Sequence, residues 1–258
     1  MEVRGPNATM RIVIIAQDEP FAVPVLLDEF VARKAEDVAA IAIAPPTSAR
    51  ESFIQLLQRW WHVFGPLTFL KYALRYLRHK LGGPRVQSIA RRWKLPLISA
   101  PDINAPEFLD RLRELQCDLI ISVASPQIFR RELLELPRHG CINVHSGPLP
   151  RYRGQLPTFW ALFNHEPETA VTVHYMNERV DDGPIILQTA VPITDGETQA
   201  SLMRRCKRVG GKLLAEAVDL IEAGKVVAFP NPREEATYYS FPTAAEAREF
   251  RRKGGRWV

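Results

Sequence analysis

Residues 142–154 read INVHSGPLPRYRG, a short apolar run that ends in a histidine and is followed by a proline-rich loop. The apolar run is typical of a buried strand, and Asn143 and His145 alternate along it, so both side chains point to the same face. Pro148 and Pro150 restrict the backbone of the loop. The stretch therefore predicts a strand that carries polar groups at its carboxyl end, where open α/β sheets place their ligands.

Strand-like and helix-like segments alternate on either side of this stretch. Upstream, the runs at 11–17, 37–45 and 117–124 are apolar and rich in β-branched residues, as in strands that are buried on both faces. Downstream, two more strand-like runs precede a long helical segment at 198–224. This order predicts an α/β fold, a Rossmann-like open, twisted, mostly parallel sheet with helices on both faces. No G-x-G-x-x-G motif follows the first strand, so the dinucleotide-binding fingerprint is absent.

We divide the chain into three parts. Residues 1–9 are polar and contain glycine and proline, which predicts a disordered leader. Residues 10–225 carry the α/β pattern and form the main domain. Residues 226–258 are too few to build an independent core, so we expect a small C-terminal appendage with a short basic helix.

Residues 50–82 interrupt the α/β pattern as a helical insertion. Gly65-Pro66 divides it into two helical pieces. The second piece is interpreted as amphipathic, with basic residues opposite aromatic and aliphatic ones. Three interpretations stay open: a helical cover on the sheet, a peripheral contact with a membrane, and a surface for a protein partner.

The amino-acid composition limits the classes of protein to which this chain can belong. Hydrophobic residues make up 46% and charged residues 24% of the chain, which suits a globular protein with a core. The sequence lacks an apolar run long enough for a transmembrane helix and lacks a secretory signal, so we expect a cytoplasmic protein without a transmembrane segment. Cys117, Cys141 and Cys206 are too far apart for a disulfide framework or a zinc site. The formal net charge of +5, interpreted as spread along the chain, does not indicate a nucleic-acid partner.

The turn at 177–183, NERVDDG, supplies carboxylates that could orient an imidazole. On spacing alone, His145 could act with Asp181 or Asp182, or could form an ordinary structural hydrogen bond. His165 and His174 are interpreted as surface or core histidines that take no part in chemistry.

Three motifs together resemble the formyltransferase family that uses N10-formyltetrahydrofolate. The family motifs are an N-x-H strand, an L-P-x-x-R-G loop and an L-D-x-G turn, which correspond here to 143–145 (NVH), 149–154 (LPRYRG) and 180–183 (VDDG). The family includes glycinamide ribonucleotide, methionyl-tRNA and nucleotide-sugar formyltransferases. The resemblance covers roughly 10–225 and is strongest over 117–198, and it implies the formyltransferase fold for the main domain.

The resemblance implies that Asn143, His145 and Asp181 are catalytic. It also implies that N10-formyltetrahydrofolate is the co-substrate and that a primary amine accepts the formyl group without a metal. Asn143 would donate hydrogen bonds to the developing oxyanion, and His145 would relay a proton. Asp181 would hold the imidazole and favour its charged form.

Further site residues are carried by the same resemblance. Candidates for folate binding are Ser125, Gln127 and Asp182. Candidates for acceptor binding are Ser146, Pro148, Arg151 and Arg153. The two arginines either bind an anionic group or brace the loop. The sequence departs from the family motifs at two places. Ser-Gly-Pro at 146–148 replaces the more usual Pro-Ser-Leu, which reshapes the acceptor side of the predicted cleft. Val180 replaces the leucine of the L-D-x-G turn.

We expect the acceptor to be a small-molecule amine, such as a nucleotide-linked amino sugar or a secondary-metabolite amine. The alternatives are glycinamide ribonucleotide, hydrolysis of formyltetrahydrofolate, and non-catalytic folate binding. Transfer to methionyl-tRNA is not expected, because those enzymes carry a β-barrel domain for which the segment after Lys225 is too short, and a homodimer is left open. The insertion at 50–82 is predicted to be a flap on the acceptor side, with Trp60, Trp61 and Phe64 excluding water from the amine.

Overall fold

The computed structural model describes residues 9–45, 53–83 and 85–258. The predicted leader, except Thr9, lies outside these residues. The strands are β1 (Ile12–Gln17), β2 (Val38–Ala44), β3 (Leu97–Ser99), β4 (Leu119–Val123), β5 (Cys141–His145), β6 (Arg153–Gly154), β7 (Glu168–Tyr175), β8 (Ile185–Pro192) and β9 (Tyr238–Tyr239). The α-helices are α1 (Val23–Lys34), α2 (Phe53–Gly82), α3 (Val86–Arg92), α4 (Pro106–Glu114), α5 (Arg131–Glu135), α6 (Pro157–Phe163), α7 (Gln199–Glu222) and α8 (Ala244–Arg252).

The main sheet confirms the predicted α/β architecture. Its strand order is β3-β2-β1-β4-β5-β7-β8. The first five strands are parallel, and β7 and β8 are antiparallel to their neighbours. Alternate residues of β1 enter two different cores, Ile12 and Ile14 on one face and Val13 and Ile15 on the other. Helices α1, α3 and α7 cover the first face and α4 covers the second, which explains why β1 is apolar from Ile12 to Ala16.

Two adjacent glycines allow α7 to approach α1 and β5 closely. A Cβ atom on Gly211 would lie 2.5 Å from the carbonyl oxygen of Leu26, and one on Gly210 would lie 3.1 Å from the side chain of Val144. Backbone and side chains therefore meet without space for a methyl group. This packing fixes β5 from the side opposite to Asn143 and His145.

The C-terminal segment packs on the loop that follows β5. Its strand β9 pairs with β6 in a separate two-stranded sheet. Phe250 and Trp257 join Phe159 and Trp160 of α6 in a third, aromatic core, which also takes in Val63 of α2. Residues 226–258 thus contribute to the framework around the loop at 149–154.

Helix α2 has the predicted break at Gly65, whose backbone is non-helical at φ 73° and ψ 166°. Positive φ is readily adopted by glycine, and Pro66 then begins the second piece. The second piece leaves much of its apolar surface exposed, and Leu77, for example, is 53% exposed. Among the described residues, no helix is both long enough and apolar enough to cross a bilayer.

Candidate functional site

The structure brings Asn143, His145 and Asp181 together at the carboxyl end of β5. His145 Nδ1 lies 3.5 Å from Asp181 Oδ2, and Asn143 Nδ2 lies 3.5 Å from Asp181 Oδ1. The imidazole is 6% exposed and the Asp181 side chain 9% exposed. Strand β5 supplies the first two residues on one face, and the turn between β7 and β8 supplies the carboxylate.

His145 is held as a neutral ring with its hydrogen on Nε2. Nε2 lies 2.8 Å from the carbonyl oxygen of Tyr152, and a carbonyl only accepts hydrogen bonds, so Nε2 donates. Nδ1 is then the basic position, and it faces Asp181. Burial lowers the pKa of His145, and the nearby charge of Asp181 opposes this only in part. Asp181 thus favours the charged form of the ring, as expected, but burial outweighs this effect.

The lowered pKa of His145 predicts how folding stability depends on pH. The unfolded state binds a proton near pH 6.5, whereas the folded state binds it only at lower pH. The free energy of unfolding should therefore fall as the pH drops below about 6.5. Chemical denaturation of wild type and His145→Asn between pH 7.5 and 5.5 measures this, and the variant should lose less stability over that interval. Equal losses, with an NMR titration of His145 at or above pH 6.5, would contradict the prediction.

Asp181 is fixed as an ionised acceptor. The backbone N–H of Gly154 donates to Oδ2 over 2.8 Å. Burial alone would raise the pKa of Asp181, but attraction to His145 and His174 when their rings are protonated, together with the Gly154 N–H, outweighs burial and holds the pKa well below its usual range. The backbone of Asp181 has a φ of 52°, which aspartate tolerates better than most residues. Two residues later, a Cβ atom on Gly183 would lie 1.9 Å from a backbone carbonyl oxygen, so the turn requires glycine.

His174 is a buried core histidine, one of the two placements expected for it, and it contacts the cluster. Its Nδ1 lies 2.7 Å from the carbonyl oxygen of Tyr175 and donates to it, so Nε2 accepts the amide hydrogen of Asn143 over 3.2 Å. The same Nε2 lies 3.6 Å from Asp181 Oδ1. In the β5–β7 ladder Asn143 pairs with His174, and this register is the signal that sequence reasoning lacked.

The side-chain amide of Asn143 is directed at two neighbours, His174 and Asp181. The contact with His174 is a hydrogen bond, whereas the one with Asp181, at 3.5 Å, is at the outer limit. The second hydrogen is thus weakly held and can be redirected to a ligand oxygen. A neutral imidazole, a carboxylate and an amide in one enclosed place can accept a proton and stabilise negative charge on an oxygen.

Asp182 and Arg153 form a buried ion pair, which favours the bracing alternative for Arg153. The guanidinium donates to Asp182, and the two side chains are 8% and 4% exposed, respectively. Arg233 donates to the same carboxylate through Nε and Nη2. Hydrogen bonding from Arg233 and then Arg153 holds the pKa of Asp182 well below its usual range, against burial. These contacts occupy both groups and suit a bracing role, while their assignment to folate and acceptor binding stays a prediction.

The C-terminal segment holds both loops of the cluster, a role that sequence reasoning missed. Asn231 Nδ2 donates to the carbonyl oxygens of Asp181 and Gly183 over 3.0 and 2.9 Å. Its own side-chain oxygen accepts from Arg153 over 2.9 Å. Thr237 accepts the backbone N–H groups of Tyr152 and Arg153. The positions of the Asp181 carboxylate and of Tyr152, whose carbonyl oxygen contacts the His145 ring, therefore depend on residues that lie far away in the sequence.

The two folate-binding candidates in the loop after β4, Ser125 and Gln127, differ in their hydrogen-bond partners. Gln127 uses both ends of its amide on the backbone: Oε1 accepts the N–H of Ile103, and Nε2 donates to the carbonyl oxygen of Pro101. These bonds brace the neighbouring loop, and the assignment of Gln127 to folate binding stays a prediction. Ser125 Oγ is enclosed and has no hydrogen-bond partner within the part of the chain that the structure describes.

The remaining acceptor-binding candidates, Ser146, Pro148 and Arg151, lie in the loop that follows His145. Ser146 is buried, and among the described residues its Oγ has no hydrogen-bond partner. Pro148 is half-buried. The side chain of Arg151 is 56% exposed and lies 3.8 Å from Glu166, outside the enclosed cluster. Ser146 thus has an enclosed hydroxyl next to His145 in the chain, and Arg151 is placed at the surface.

Gly147 controls the space around the His145 ring. A Cβ atom there would lie 2.8 Å from His145 Nε2 and 2.9 Å from Pro157 Cβ. Gly147→Ala should therefore displace the ring and destabilise the protein by about 1–3 kcal/mol. Chemical denaturation measures the loss, and Ser146→Ala is the adjacent control with a much smaller expected effect. A fully stable Gly147→Ala protein with an unmoved His145 NMR signal would contradict this packing argument.

Comparison with known proteins agrees with this geometry. Residues 85–218 match the family described as formyl transferase. The methionyl-tRNA formyltransferase of Trichlorobacter lovleyi is 40% identical over 148 residues, which are 57% of this chain and 47% of that protein. The chain therefore spans about half the length of the curated relatives it matches.

Two solved structures share the fold. A sugar N-formyltransferase from Shewanella sp FDAARGOS_354 has a TM-score of 0.58 at 21% identity, with coverage of 91% of this chain and 78% of that one. Glycinamide ribonucleotide transformylase 1 from Symbiobacterium toebii has a TM-score of 0.61 at 20% identity, with coverage of 87% and 92%. At these identities the likeness establishes a common architecture.

Proposed function

Because the chain belongs to the formyl transferase family, we propose that it transfers a formyl group from N10-formyltetrahydrofolate to the primary amine of a small molecule. The observation that carries the proposal is the enclosed contact of Asn143, His145 and Asp181. Their chemistry suits attack of a neutral amine on a formyl carbon, because a proton must leave the amine and negative charge must be stabilised on the formyl oxygen.

His145 is the proton carrier in this proposal. Its Nδ1 accepts the proton from the attacking amine and later returns it to the leaving nitrogen. Asp181 stays ionised, because its pKa is held low, and stabilises the ring while the ring is charged. Asn143 turns its weakly held amide hydrogen to the developing oxyanion, a type of contact whose loss costs about 2.7–4 kcal/mol of barrier.

Two enclosed hydroxyls fit the binding of polar ligands beside the cluster. Ser125 Oγ and Ser146 Oγ have no hydrogen-bond partners within the described residues. An enclosed hydroxyl without a partner is costly, so a ligand that hydrogen-bonds to it gains affinity. Ser125 follows β4, the parallel neighbour of β5, and we assign it to the donor. Ser146 follows His145, and we assign it to the acceptor. The donor, when bound, supplies the formyl carbon.

The acceptor is proposed to be a small amine, with an amino sugar as the first candidate. The sugar N-formyltransferase match extends over 91% of this chain, whereas the methionyl-tRNA formyltransferase match extends over 57%. The identity of 40% with the latter favours methionyl-tRNA as the second candidate acceptor. Glycinamide ribonucleotide is a third, on the fold comparison.

The test is an acceptor panel with N10-formyltetrahydrofolate, in which release of tetrahydrofolate is measured. Nucleotide-linked amino sugars, glycinamide ribonucleotide and methionyl-tRNA are compared, with Asp181→Asn as the inactive control and Asp195→Asn as the matched exposed change. Release that requires a small amine supports the proposal. Release without any amine indicates hydrolysis, and release only with methionyl-tRNA selects the second candidate. Folate binding without release by any acceptor would indicate a non-catalytic folate-binding protein.

A further inference from the structure

Four leucines form an exposed stripe on the second piece of α2. Leu67, Leu70, Leu74 and Leu77 recur at intervals of three and four residues, so they lie on one face of the helix. Their exposed fractions are 78%, 56%, 54% and 53%. Exposed apolar residues that are contiguous, unlike scattered ones, mark an interaction surface.

Cations lie beside this leucine stripe. Lys71 and Arg78 each follow a stripe leucine by four residues, which places them along the same face, and both are exposed. The sequence contains no Asp or Glu between positions 52 and 101, although it contains many lysines and arginines there. The positive charge of the protein is thus concentrated around α2, in contrast to the expectation that it is spread along the chain.

The opposite side of α2 is anchored to the protein. Val63, Phe64 and Tyr72 belong to the aromatic core or pack against it. Tyr72 contacts Phe21 edge to face with ring centroids 5.6 Å apart, and Arg251 donates to the carbonyl oxygen of Val63 over 3.0 Å. The leucine stripe therefore has a fixed outward direction, and changes in it leave the packing of α2 intact.

We propose that the leucine stripe of α2 binds the surface of an anionic lipid bilayer. The leucines enter the boundary of the acyl chains while Lys71 and Arg78 meet the lipid phosphates, as in interfacial amphipathic helices. Trp61 is 49% exposed and contacts Phe69 across the break at Gly65, so an indole, a side chain enriched at membrane interfaces, lies at the end of the stripe.

Charge favours a bilayer over a second copy of this chain. An isologous contact through the stripe would bring Lys71 and Arg78 of two copies together, and α2 contains no carboxylate to pair with them. A membrane with anionic headgroups supplies the missing negative charge, and attracts each basic residue near its surface.

Flotation with vesicles tests the proposal on the full chain. Wild type should float with phosphatidylcholine vesicles that contain phosphatidylglycerol, should not float with phosphatidylcholine alone, and should be released by high salt. Leu70→Glu/Lys71→Glu should weaken binding by about tenfold or more. The matched control is Lys225→Glu/Val227→Glu, which changes one lysine and one exposed aliphatic residue outside α2 with the same change in net charge, and should bind like wild type.

Thermal melts of both double variants check that the fold is retained. Failure of the folded wild-type protein to float with anionic vesicles, or equal binding by the two double variants, would overturn the proposal. A dimer in analytical ultracentrifugation that Leu70→Glu/Lys71→Glu disrupts, without any vesicle binding, would instead assign the stripe to a second copy.

Discussion

Turnover should fall about 10²–10⁴-fold when His145 is replaced by alanine, the range that a positioned acid–base group contributes. The change removes Nδ1, the position that accepts the proton, and the Nε2 contact with Tyr152. Asp181→Asn should give a comparable loss, because an amide cannot stabilise the charged ring as a carboxylate does. The measurement is tetrahydrofolate release with the acceptor found in the panel.

The control for His145→Ala is His62→Ala, an exposed histidine in α2 that should keep near-normal turnover. Thermal melts separate a catalytic defect from unfolding, since His145 is buried and its loss also leaves a small cavity. Near wild-type turnover in a folded His145→Ala protein would remove the proposed mechanism.

Asp182→Ala should destabilise the protein by about 3–5 kcal/mol, the usual cost of breaking a buried ion pair from one side. Arg153 would remain enclosed, with Asn231 as its remaining side-chain hydrogen-bond partner among the described residues. Arg233, with a side chain that is 59% exposed, can reach water and adds little to the loss. Urea denaturation measures the change in the free energy of unfolding.

Asp110→Ala provides the comparison for Asp182→Ala. It breaks the ion pair of Asp110 with Arg113, in which both side chains are more than half exposed, and should cost less than about 1 kcal/mol. The double change Asp182→Ala/Arg153→Met should recover part of the stability, because it removes the unpaired buried charge. If Asp182→Ala costs no more than Asp110→Ala, the network does not brace the loops.

The sequence by itself determined the layered architecture and the common face of two members of the polar cluster, whereas Asp181 was assigned through the family resemblance. Runs such as 119–121, three consecutive apolar residues, predict strands because burial on both faces favours apolar side chains, and this requirement is local. Gly65-Pro66 predicted the break in α2 for a similarly local reason, the backbone preferences of the two residues. Asn143 and His145 were found together because alternation along a strand fixes their common face.

Only the tertiary structure decided which partners the polar groups have. His174 enters the cluster through the β5–β7 register, and Asn231 and Arg233 reach the loops because the chain folds back over them after α7. Such contacts join residues tens of positions apart, and no local pattern encodes their distance. The exposed side of α2 is decided in the same way. Periodicity places the leucines on one face of the helix. The aromatic core, which is assembled from several segments, decides which face of the helix is covered.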